Sequence, residues 1–200
     1  MLSYLEHEKV TVRFLSLYLL GLALFFASWT LSYHFLPEGI IRGVLPFTKL
    51  AGAEAAGSLL KEFFTIFGVN LLGFLAIILG NYILRVRSIA FGYLIPLAWM
   101  AMYGLILGTN SFSIPLADPL APTLTVFGRS GLYEMAAAVL LAVATNSISA
   151  NRSETFRSPS SPVPKQERNT LKPEQWLAAS LSILLLAGAA LREAYMVLQA

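Results

Sequence analysis

Apolar positions along this chain come in unbroken blocks, with no alternation and no narrow stripe at helical spacing. Two blocks, residues 63–84 and 89–110, hold no Asp, Glu, Lys, Arg or His over 22 positions each, and a short hinge carrying Arg85 and Arg87 joins them. At about 1.5 Å of rise per residue, each is long enough to span a hydrocarbon layer of about 30 Å. A break inside lipid would strand backbone groups at several kcal/mol apiece, so both helices are expected to run until the arginines reach water. The pair predicts a transmembrane helical hairpin.

Three further blocks flank it. Residues 14–36 form an apolar run too long for a signal peptide and with no small-x-small cleavage site after it, which predicts an uncleaved first span. Residues 131–150 and 176–198 predict a fourth and a fifth span, the last ending on Arg192 and Glu193 near the surface. Residues 47–61 suit either an amphipathic helix lying in the interface or a plain extension of the second span. Pro115, Pro119 and Pro122 exclude a helix through the segment that follows the hairpin, while Pro96 is the one proline expected inside a span. Residues 151–175, with their Ser-Pro run and mixed charges, predict a flexible loop. The expected fold class is all-α: a polytopic transmembrane helical bundle of about five spans in one domain.

Composition agrees, with 56% hydrophobic and 12% charged residues and a mean hydropathy of +0.68. Lys9, Arg13, Arg85, Arg87, Arg152, Arg157, Lys165, Arg168 and Lys172 fall on one side of five spans. Only Arg42, Lys49, Lys61, Arg129 and Arg192 fall on the other. The excess of positive charge predicts a multi-pass protein of the cell membrane with its N-terminus cytoplasmic and its C-terminus on the opposite side. A net charge of +3, held in flanking loops, gives no footprint for nucleic acid.

With that orientation, His34, Asn70, Asn110, Arg129, Glu134, Arg192 and Glu193 all fall in the outer half, and Asn81 and Asn146 near the inner face. An ionisable group at mid-depth costs roughly 2.5 to 3.5 kcal/mol on insertion scales, so Glu134 needs a cation, hydrogen bonds or a proton, and Arg129 is its nearest candidate partner. For Asn70 and Glu134 two readings stand: a polar site for a headgroup, ion or partner helix, or groups satisfied by interfacial water and lipid. His34, Arg192 and Glu193 fit the interfacial reading. Gly104 and Gly108, four apart on the third span, with Gly73 and Gly80 on the second, predict close packing inside the bundle rather than a dimer face.

Catalytic inventories fail. There is no cysteine, and the two histidines are His7 and His34. Gly128-Arg129-Ser130-Gly131 is similar to the nucleophile sequence of rhomboid-type intramembrane proteases, but no histidine follows Ser130 to act as its base. Asp118 is the only aspartate, which removes a di-aspartyl site, and no phosphate-cradling glycine loop with a lysine occurs.

From residue 63 onward the pattern resembles the stage II sporulation protein M-like membrane proteins. Phe64-Thr65-Ile66-Phe67-Gly68-Val69-Asn70-Leu71 looks like that family's phenylalanine-rich approach to an asparagine. Tyr103-Gly104-Leu105-Ile106-Leu107-Gly108 looks like its Asn-Gly-x-x-x-Gly helix, with Tyr103 in place of the Asn. Gly131-Leu132-Tyr133-Glu134-Met135-Ala136 looks like its Pro-His-Gly-x-x-Glu-x-Pro-Ala signature, with Arg129-Ser130 in place of Pro-His. The resemblance singles out Asn70, Gly104, Gly108, Gly131 and Glu134. It implies a non-catalytic membrane protein without cofactors that acts as a scaffold or assembly subunit. Its partners would be the bilayer, other membrane or membrane-associated proteins and, in one version, copies of itself. The alternatives are a transport component, permease or channel subunit with an outer-leaflet polar site, and an accessory subunit of a larger membrane complex. A transporter needs polar groups through both leaflets and a broken helix at mid-depth.

Overall fold

The structure is a computed structural model and describes residues 2–44, 57–112, 116–129, 131–155, 157–164 and 170–199. The apolar blocks are helices, and most extend beyond their uncharged cores. After the one-turn α1 (Leu2–Leu5) come α2 (Val10–Phe35) and α3 (Leu59–Ile83). A two-residue hairpin follows, made by β1 (Arg85–Val86) and β2 (Ile89–Ala90), and then a 3-10 turn, Phe91–Tyr93, leading into α4 (Leu94–Gly108). The short α5 (Leu124–Arg129) starts just after the last proline of its segment, where Thr123 Oγ1 accepts the Val126 N–H at 3.2 Å. The chain ends with α6 (Leu132–Ala144), β3 (Asn151–Ser153), β4 (Ser161–Pro162) and α7 (Pro173–Val197). Most of the 47–61 segment lies outside the described residues; Leu59 to Lys61 begin α3, whose cap Ser58 Oγ accepts the Lys61 N–H at 3.4 Å.

Among the described residues, four helices are long and apolar enough to cross a membrane: α2, α3, the 18-residue stretch Phe91–Gly108 and α7. The expected fourth span is different. α6 has 13 residues, about 20 Å at 1.5 Å per residue, short of a hydrocarbon layer. It is surrounded by the others, with Ala137, Ala138, Val139, Ala142, Val143 and Ala144 almost without exposed surface. Non-helical backbone at membrane depth is tolerated where protein covers it, so a central helix can be shorter than one that faces lipid. Its alanines let Leu17, Phe25, Ile77, Met100 and Leu186 close around it into one apolar core.

Two other expectations change. Pro96 is in the first turn of α4, where its missing N–H has no intrahelical partner to lose, because the helix begins at Leu94 rather than at residue 89. Within the expected loop 151–175, residues 156 and 165–169 lie outside the described residues, but β3 and β4 join the hairpin in a sheet ordered β2-β1-β3-β4, with β1 and β3 parallel. The last carbonyls of α3 explain the attachment. Ser149 Oγ donates to Asn81 O at 2.6 Å, Ala150 N to Tyr82 O at 2.7 Å, Asn151 Nδ2 to Ile83 O at 2.8 Å and Phe91 N to Leu84 O at 2.9 Å. Each removes an orphan acceptor from a helix end.

The bundle therefore has a hairpin end, where α3 and α6 finish and α4 and α7 begin, and a far end, where α4 and α7 finish. At the far end Asn110, fully buried and left-handed with φ 48°, ties two loops together. Its Nδ2 donates to Glu38 Oε1 at 2.7 Å and to Leu116 O at 2.8 Å, its Oδ1 accepts Leu116 N at 2.9 Å, and its carbonyl accepts Arg42 Nη2 at 2.7 Å.

Candidate functional site

Asn70 stands midway along α3, 9% exposed, and its Nδ2 donates to Glu134 Oε1 at 3.2 Å. Glu134 is brought there by Gly131, which opens α6 with φ 59°, a left-handed conformation that a side chain would strain, and whose carbonyl accepts Met135 N at 2.9 Å. A Cβ on Gly131 would also press on the Tyr103 ring at 3.1 Å, so glycine both turns the chain and admits Tyr103 from α4. α7 runs antiparallel to α6, which places Glu193, near the end of one, beside Glu134, near the start of the other.

Asn70, Glu134 and Glu193, with Thr65, Trp99 and Tyr103, line a notch of about 160 Å³. Glu193 is on the exposed surface of α7, so the notch opens on the flank of the bundle. Two carboxyl groups in contact repel unless a proton or another cation lies between them. The guanidinium carbon of Arg192, next to Glu193 in the chain, sits 5.6 Å from the centre of the Tyr133 ring.

Of the residues singled out by sequence, Asn70, Gly131 and Glu134 meet at this notch. Gly104 and Gly108 do not; they face α2, where a Cβ would strike Ser28 and Phe25, or Ser32 and Trp29. Asn110 belongs to the far-end loops, and Arg129 ends α5, its side chain outside the described residues. The expected Arg129 partner for Glu134 is thus not described, and Asn70 takes the contact. His34 is exposed at the end of α2 against Tyr33 and Phe35. Sequence reasoning assigned Glu193 to the interface. The signal that could have found it is the pair of acids at the start and the end of consecutive antiparallel helices.

A second polar group occupies the hairpin end. Asn81 Nδ2 donates to Ala142 O at 2.8 Å and Thr145 Oγ1 at 2.7 Å, and Gln175 Nε2 donates to Asn146 Oδ1 at 3.2 Å. Phe74 and Ile77 on α3, Ala138 and Val139 on α6 and Leu186 on α7, all buried, separate the two groups. No protein-family model, curated protein or solved structure matches this chain.

Proposed function

We propose that this chain is a non-catalytic assembly subunit of the cell membrane, with its N-terminus cytoplasmic and the hairpin end inward, that docks a partner at the Asn70–Glu134–Glu193 notch. The observation that carries this reading is the pair of carboxyls, Glu134 and Glu193, lining one cavity on the flank of the bundle. A carboxylate at lipid depth is costly, and the cheapest relief is a basic or amide side chain supplied by a neighbouring membrane helix. The occupant is therefore a partner segment bearing Lys or Arg. The buried apolar layer between the two polar groups favours this role over a transport path, which would need polar lining throughout. The resemblance to stage II sporulation protein M-like proteins leads to the same role.

Glu134→Gln keeps the size and the Asn70 contact and removes the ionisable carboxyl. Purified from membranes in mild detergent, the wild type should carry a partner with a basic residue in a membrane segment, and Glu134→Gln should lose it while melting within a few degrees of wild type. A substrate flux in proteoliposomes that disappears with Glu134→Gln would instead make the chain a transport component.

A further inference from the structure

Arg13, on the first turn of α2, is 7% exposed, and its Nε has no hydrogen-bond partner. Arg85, on β1, also has a buried Nε without a partner. Both line a cavity of about 310 Å³ at the hairpin end, with Ser88, Asn146, Ser147 and the exposed Lys172. The buried Tyr93 hydroxyl lies beside Arg13 and Asn146. Among the described residues neither guanidinium makes an ion pair, although Glu6, Glu8 and Glu174 stand on the cavity wall.

A buried guanidinium with no carboxylate beside it to balance its charge is costly, and unsatisfied buried groups call for an absent ligand or ion. Two of the four such side-chain atoms among the described residues, Arg13 Nε and Arg85 Nε, belong to residues that line this one cavity. We propose that it is a binding site for a phosphate-class oxyanion, taken either from a lipid headgroup or from free phosphate. The planar fork of Arg13 presents donors from the wall, Arg85 and Lys172 add charge, and the Ser88 and Ser147 hydroxyls and the Asn146 amide supply neutral donors. Crowding supports the assignment: burial, and then the charge of Arg152, hold Arg85 below its ordinary range, a strain that a bound anion relieves.

The test uses the full chain in phosphatidylcholine nanodiscs, with binding read as a thermal shift during titration with phosphatidylglycerol in one arm and inorganic phosphate in the other. The proposal expects a saturable shift in at least one arm; the lipid alone assigns a headgroup, and phosphate alone a soluble ligand. Arg85→Gln, on the half-buried β1, should weaken that binding about tenfold or more, the loss expected for one charge-assisted contact. Arg13→Gln should weaken it further; if that variant does not fold, Arg85→Gln decides. No saturable shift in either arm, the result expected if Glu6, Glu8 or Glu174 closes on the arginines, overturns the proposal, as does equal binding by wild type and Arg85→Gln.

Discussion

At the scale of single residues, depth in the bundle decides what a polar side chain does. Asn81 is fully buried and holds α3 to α6 through two hydrogen bonds, so Asn81→Leu should destabilise by about 1–3 kcal/mol, a loss visible as a lowered melting temperature in detergent. Glu134 behaves differently, since its change to Gln should leave melting nearly untouched and act on assembly alone. That Asn70 and Glu134 share one half of the bundle was legible from counting the charge blocks by side; their hydrogen bond was not, because Arg129 stood nearer in sequence as the candidate partner. Glu193 was not, because its neighbour Arg192 makes the end of α7 look like an interfacial pair, whereas Arg192 lies over Tyr133 and Glu193 lines the notch.

At the scale of elements, the glycines separate contact from exposure. Gly104 and Gly108 let the backbone of α4 lie against that of α2, so Gly108→Val should push the two helices apart and cost about 1–3 kcal/mol, as overpacking does. Gly188 on α7 meets nothing within 4 Å, and Gly188→Ala should be neutral or stabilising by up to about 1 kcal/mol. Equal melting shifts for the two would contradict this division. Helix type came readily from uncharged block length, but the number of spans and their extent did not: among the described residues four helices are long enough to cross a membrane, against five expected. Block length cannot distinguish a helix facing lipid from one wrapped in protein, which is why α6 was expected to be longer than it is. Pro96 marks the first turn of α4, a boundary hidden inside a continuous apolar run. The sheet was illegible for a different reason: Asn151 to Ser153 has a loop's composition, and it becomes a strand because the hairpin edge and the end of α3 offer it partners.

At the scale of the whole molecule, a buried apolar layer separates the Asn70–Glu134 group from the Asn81 group at the hairpin end, and the proposed orientation turns them toward opposite leaflets. The chain has no cysteine, so single cysteines report sidedness against a clean background. Ser160→Cys should react with impermeant maleimide only after the membrane is opened, and Ile40→Cys, 48% exposed in the turn after α2, should react in intact cells. The reverse pattern would invert the orientation and place the notch in the inner leaflet.

The most direct test of the docking claim is site-specific photo-crosslinking in native membranes from Ile66, which lines the notch, with Leu79 on the same helix as a lipid-facing control. The account predicts a discrete protein adduct from Ile66 that is absent from Leu79 and lost with Glu134→Gln. Lipid adducts alone from both positions, or a protein adduct from Ile66 that survives Glu134→Gln, would contradict it.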